Sequence, residues 1–307
     1  MTTSVLHIAA RRILCAVLVL APMLVTHLSQ AQNNPPPYWA THQSPIVITP
    51  PIPLRDPRKF TATGSLEVPA NYYLVNTVGK PWCDKESRQV CDGRTDQHWG
   101  SLKVYPDAAG AQSVEFNGAR YTLKEFHFHH PEEHIDGKIP HAMEGHFVFH
   151  LDGAASCSPG EYLVIGQWID SGAENEQLEL IFGDKVKLPP HYLPGDHSFR
   201  VSGLTIGKVL AGFPDGTLSY RYDGSLTAPA NVLGCRPETP PTGPQTPNQL
   251  GSRQLPGVVT WVLLTKPITM SPEQIGRFVK LFPNNARSPQ PASPEQVVRQ
   301  GADSGGN

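Results

Sequence analysis

The run Glu125-Phe-His-Phe-His-His130, followed by Glu144-Gly-His146, holds the side chains best suited to chemistry. Side chains alternate faces along a β-strand, so His127 and His129 project from one side while Phe126 and Phe128 point into the opposite layer. The turn Ile135-Asp-Gly-Lys138 separates this run from a second apolar-rich stretch, Glu144 to Leu151. An antiparallel return there would set His146 beside the first pair. Three neutral imidazoles leave the fourth tetrahedral position of a zinc ion open, which is the arrangement of a catalytic site and not a structural one. A lone His-x-His also occurs on half-exposed polar strand faces; the third histidine and the acidic companions Glu133 and Glu144 favour the metal.

These residues resemble the zinc-binding core of the α-class carbonic anhydrases, whose pattern reads Q-F-H-F-H, then S-E-H, then E-x-H. The corresponding stretches are Glu125-Phe-His-Phe-His129, Glu132-Glu-His134 and Glu144-Gly-His146, with thirteen residues from Glu133 to His146. Further motifs recur in the family's order: Gln43-Ser-Pro-Ile46, Gly224-Ser-Leu-Thr-Ala-Pro229, Val259-Thr-Trp261, then Asn284-Asn-Ala-Arg287 with Gln290-Pro291. The resemblance covers residues 40–292.

The resemblance implies a Zn2+ cofactor on His127, His129 and His146. It implies reversible hydration of carbon dioxide to bicarbonate and a proton through a zinc-bound hydroxide. In carbonic anhydrase, the type case of this effect, the bound water falls from a pKa of about 15.7 to about 7. Thr227, hydrogen-bonded to Glu133, would orient that hydroxide. Glu144 matches the partner of His146, and Asn285 is a further supporting residue behind the ligands. Glu125 stands where the family usually has glutamine; a carboxylate there would enrich His127 in electrons and raise the water pKa. Val148, Val164, Leu226, Val259 and Trp261 match the dry carbon dioxide pocket. Ala228 and Ala230 replace a threonine and a proline of the family pattern. His98 is the nearest match to the proton shuttle, and His134 matches a structural histidine; His130 and His150 have no assigned role. The alternative from another class is a carbonic-anhydrase-like binding or adhesion module with weak or no catalysis. Such modules typically lose a zinc histidine, and all three are present.

A scaffold of strands must position these side chains. Thirty-two prolines and twenty-seven glycines among strand-like runs point to a mainly β chain rich in turns. Strands are expected over 100–105, 113–116, 119–129, 145–151, 162–169, 218–222 and 257–264. Helices are expected over 173–182, with Leu178, Ile181 and Phe182 at helical spacing, and after Ser271-Pro-Glu-Gln274. That tetrapeptide combines an N-cap serine, a proline at the first helical position and a capping-box glutamine. The expected fold is one mainly β domain around a large, mostly antiparallel twisted sheet with a few short peripheral helices.

Arg11 and Arg12, the apolar run Ile13–Val25 and Leu28-Ser-Gln-Ala31 read as a signal peptide over residues 1–31, the run being too short to span a membrane. The chain is therefore expected to be exported, periplasmic or secreted, with no membrane attachment after cleavage. Residues 32–39 form a short N-terminal segment ahead of the catalytic domain at 40–292. Surface insertions are expected at 80–99 and 237–255, and a disordered tail at 293–307. A net charge of −2 gives no reason to expect nucleic acid as a partner. Oligomeric state stays open, a dimer being one option. Once Cys15 leaves with the signal, four cysteines remain and allow three pairings. Cys83 and Cys91 are close in sequence and suit a local bridge, leaving Cys157 with Cys235. The family's fold implies that the loops holding those last two lie near each other.

Overall fold

The computed structural model describes residues 43–48, 52–53, 60–77, 100–107, 112–137, 140–154, 160–190, 195, 197–210, 218–227, 259–292 and 296–302. All lie in one compact unit, Tyr38–Asn307. The expected signal peptide, the insertions at 80–99 and 237–255, His98, Ala228, Ala230 and all four cysteines of the expected bridges fall outside the described residues.

The strands are β1 (Ile52–Pro53), β2 (Phe60–Ala62), β3 (Ala70–Asn76), β4 (Leu102–Pro106), β5 (Ser113–Phe116), β6 (Ala119–His129), β7 (Met143–Leu151), β8 (Tyr162–Ser171), β9 (Arg200–Leu204), β10 (Leu218–Gly224), β11 (Val259–Met270) and β12 (Arg299–Ala302). They form one sheet in the order β1-β12-β10-β11-β8-β7-β6-β4-β3-β9, with β5 joining β6 to β2. Pairing is antiparallel except at β1–β12 and β8–β11. The mainly β, mostly antiparallel single domain expected from the sequence is the fold observed.

The centre of the sheet, β6-β7-β8-β11, carries the site. The β5–β6 hairpin turns at Asn117 and Gly118, with φ of 54° and 73°, the left-handed pair that matches strand twist. Along β6 the register slips between Leu123 and Glu125. That bulge lets Leu123 and Phe126, three positions apart, face the same core, while Glu125 and His127 share the other face. One face packs a core that includes Phe126, Phe128, Phe147 and Phe149. The opposite face carries a smaller apolar cluster of Val148, Val164, Val259, Trp261 and neighbours.

Two helices cover the phenylalanine face. Glu176–Phe182 starts where the Asn175 side chain accepts from the Gln177 and Leu178 amides, which is why it begins later than the expected Ala173. Pro272–Leu281 opens with the capping box of Ser271 and Gln274. Their Phe182 and Phe278 meet Phe128 edge-on, with centroids at 5.1 and 6.3 Å. The residue between the two histidines on β6 is thus locked from behind, at about 1.5–3 kcal/mol per buried ring.

Expectation and structure differ at the edges. β3 and β9 have no counterpart among the expected strands, although Tyr72, Leu74 and Asn76 of β3 alternate inward. The tail after residue 292 is not wholly disordered as expected. Gln296 and Val298 are buried, and Arg299–Ala302 adds a strand between β1 and β10. Its Arg-Gln-Gly-Ala sequence carries no apolar alternation, so pairing with the edge of β10 decides its conformation.

Candidate metal centre

Register brings the histidines together. His127 on β6 pairs directly with His146 on β7, and His129 pairs with Glu144. One ligand nitrogen from each of His127, His129 and His146 lies within 4.8 Å of the others, and all three residues are buried. Ring centroids are 4.6 to 5.3 Å apart.

In each ring one nitrogen is held from outside. His127 Nδ1 donates to Glu125 Oε2 at 2.9 Å. His129 Nδ1 donates to the main-chain oxygen of Asn285 at 3.1 Å. His146 Nε2 donates to Glu144 Oε1 at 2.9 Å. These bonds fix the tautomers and leave His127 Nε2, His129 Nε2 and His146 Nδ1 as bare lone pairs. His129 Nε2 is buried with no hydrogen-bond partner, a costly state that a metal relieves. Three neutral imidazoles converging on one point fit a zinc ion with an open fourth position.

Charge is arranged to keep the rings neutral or paired. Burial, then the nearby His146 and His127, hold His129 well below the usual histidine range. Burial also lowers His127 against the pull of Glu125. His146 is raised, because Glu144, with Glu133 and Glu125, outweighs its burial. Glu144 is pushed up by burial, yet His134 and His146 hold it well below the carboxylate range. Its four bonds explain that: Oε1 accepts from His146 and from His134 Nδ1 at 2.7 Å, and Oε2 accepts from the amides of Glu133 and His134 at 2.9 and 2.8 Å. His134 Nε2 in turn lies 2.6 Å from the Tyr222 hydroxyl, which is bonded to Ser44 Oγ at 2.9 Å.

Glu133 lies beside the histidines, its Oε1 3.3 Å from His129 Nδ1 and its Oε2 3.8 Å from His146 Nδ1. Its Oε1 accepts from the Arg287 amide at 2.7 Å, and the Thr227 hydroxyl also interacts with its carboxyl group. Burial pushes Glu133 up to about 7 against the Thr227 and Arg287 hydrogen bonds. The stretch that holds Thr227 is tied down: Ser44 N donates to Ser225 Oγ at 3.0 Å, and Trp261 Nε1 donates to Ser225 O at 2.9 Å.

The five residues expected to form an apolar pocket lie together. Val148 pairs with Val164 across β7–β8, and Val164 with Trp261 across β8–β11. Val259 belongs to the same cluster and Leu226 packs against it. Trp261 meets His146 edge-on at 4.8 Å. Asn285 supports the site through its backbone as well as its side chain, whose amide donates to the Gly100 and Phe128 carbonyls at 3.0 Å each. Glu125 is buried, not on a solvent-facing rim. Burial alone would push it up; His127 and Lys103 hold it down at about 2.

Sequence reasoning missed Lys103, Gly166, Tyr222 and Arg287. Arg287 sits in the N-x-R motif and Gly166 is a lone glycine in an apolar strand, signals that were present but pointed to no contact. Lys103 and Tyr222 carried no local signal.

No family model matches the sequence. A carbonic anhydrase of Neisseria gonorrhoeae is 31% identical over 220 residues, 68% of this chain and 71% of that protein. A carbonic anhydrase of Nostoc sp. is 29% identical over 60% of this chain and 56% of its own length. One of Pectobacterium atrosepticum is 28% identical over 64% and 65%. The chain thus spans less than two thirds of those last two relatives. Among solved structures, the Thermovibrio ammonificans α-carbonic anhydrase in complex with sulfanilamide matches with a TM-score of 0.53 and 25% identity, covering 84% of this chain and 86% of that one. A Photobacterium profundum α-carbonic anhydrase shares the fold at a TM-score of 0.55 and 21% identity, covering 84% and 89%.

Proposed function

The chain belongs to the α-class carbonic anhydrase family, and from that premise we propose that it is a zinc enzyme interconverting carbon dioxide and bicarbonate. The observation that carries the reading is the set of three buried imidazoles, each tied back by one nitrogen and converging with the other. Zinc bound there supplies one thing, the acidification of water at its open position to near-neutral pKa.

The chain's own residues do the rest. Thr227, with its hydroxyl committed to the Glu133 carboxylate, is left to accept a hydrogen bond from the site and so orients the nucleophilic oxygen. The Arg287 amide anchors the Glu133 carboxylate through Oε1. Val148, Val164, Leu226, Val259 and Trp261 offer an apolar, water-excluding wall suited to a small uncharged substrate such as carbon dioxide. His98 remains our candidate for passing the proton to buffer. Export, resting on the pattern in residues 1–31, and the Cys83–Cys91 and Cys157–Cys235 bridges belong to the same proposal. Among the described residues no helix is long and apolar enough to cross a membrane.

Metal analysis with stopped-flow carbon dioxide hydration tests the reading. The purified chain should hold one zinc and hydrate carbon dioxide. His129→Ala and His146→Ala should each lose hydration and most of the zinc. Normal activity with stoichiometric zinc in either variant would move the site elsewhere.

A further inference from the structure

A carboxylate on the outer nitrogen of a metal-binding imidazole makes that ring a more negative ligand than a neutral acceptor does. Glu125 is placed to do this to His127, with Nδ1 at 2.9 Å from Oε2 and 3.1 Å from Oε1. The carboxylate is not alone. Its Oε1 also accepts from Lys103 Nζ at 2.8 Å. Strand register builds the contact, because Lys103 on β4 pairs directly with His127 on β6, two residues beyond Glu125 on the same face. The side chains of Lys103 and Glu125 keep only 20% and 10% of their exposure, so solvent screens the pair weakly. Ammonium, carboxylate and imidazole stand in one hydrogen-bonded line ending at the metal centre.

We propose that Lys103 is a positioning residue for the metal ligand His127, acting through Glu125. It holds the carboxylate on Nδ1 and offsets its charge, so that His127 meets the metal as it would with a neutral partner. The inference rests on the zinc reading above. It also accounts for a carboxylate where the family usually has glutamine: the acidic residue and its lysine act as a unit of no net charge. Removing one member strands the charge of the other beside a dication, and the two removals therefore act in opposite directions.

Zinc dissociation constants, measured by chelator competition on the full chain, test this without reference to turnover. Changing a residue behind a metal ligand moves affinity by about 10–100-fold. Glu125→Gln strands the ammonium and should weaken zinc about tenfold or more. Lys103→Met leaves the carboxylate uncompensated and should tighten zinc, by roughly threefold or more. The double variant should return to within about threefold of the parent, and Lys103→Arg should match the parent. A purely structural role predicts otherwise: both single variants would weaken zinc and lower the melting temperature together. That result, or a double variant that stays as far from the parent as Glu125→Gln does, overturns the inference while the zinc reading stands. A parent chain that takes up no zinc overturns both. Should Glu125→Gln fail to fold, tighter zinc in Lys103→Met beside parental affinity in Lys103→Arg still decides.

Discussion

Thr227 is a buried threonine whose only distinction is the carboxyl group beside it. A hydroxyl has one proton, so committing it to Glu133 leaves lone pairs for the site. Removing that constraint misaims the nucleophile without disturbing the metal. Thr227→Ala should therefore lower kcat/KM for hydration about 10²-fold while zinc content stays at the parental level. Glu133→Gln should cost a similar factor, and the double variant little more than either alone, because the two residues act as a unit. Stopped-flow hydration with metal analysis checks all three; independent, multiplying losses would show that Thr227 and Glu133 act separately. The three histidines proposed to hold the metal show the same economy of contact. Each has a different outer partner, yet each ends with one bare nitrogen turned inward.

β8 contributes to the site by what it omits. Gly166 pairs with His146, directly under the Glu144 carboxylate. A methyl group on Gly166 would fall 2.5 Å from Leu263 Cδ2 and 3.1 Å from Glu144 Oε1. Leu263 can turn aside, but Glu144 is tied by four hydrogen bonds and cannot. Gly166→Ala should therefore destabilise the fold by about 1–3 kcal/mol and loosen zinc through His146. Urea denaturation together with chelator competition measures the two effects; a variant with parental zinc affinity would show that Glu144 has room to move. The helices act from the other face. Capped at Asn175 and Ser271, they press Phe182 and Phe278 onto Phe128, between His127 and His129.

Across the whole molecule the buried charges set an acid limit. His127, His129 and His134 have folded pKa values below the usual histidine value, so below pH 6.5 the unfolded chain takes up protons that the native one refuses. Glu133 opposes this between about 7 and 4.5, since its raised value lets the native state bind a proton first. Below 4.5 that compensation ends, and Glu125 and Glu144, both depressed in the native state, add their own loss. Each such group contributes about 1.36 kcal/mol per pH unit within its window. The urea midpoint of the metal-free chain should thus decline from pH 6.5 downward and most steeply below 4.5. A midpoint flat down to pH 4 would mean that these groups titrate alike in both states.

Much of the site was legible in the chain because its geometry is local. His127 and His129 share a face by the two-residue period of a strand, and the antiparallel pairing of the next strand sets His146 beside them. The capping box at Ser271 and Gln274 and the strand of Ala119–His129 are likewise properties of neighbouring residues. What the tertiary structure alone decided lies between strands distant in sequence. Lys103 reaches Glu125 only through the pairing of β4 with β6, and Tyr222 reaches His134 only across the sheet. Whether Glu125 is a bare anion behind a ligand or half of a neutral pair turns on that pairing, and no pattern within β6 encodes it. The strand at Arg299–Ala302 has the same origin, an open edge of β10 that needs its hydrogen bonds met. Periodicity and turns specify which residues share a face; register between distant strands specifies which charges meet.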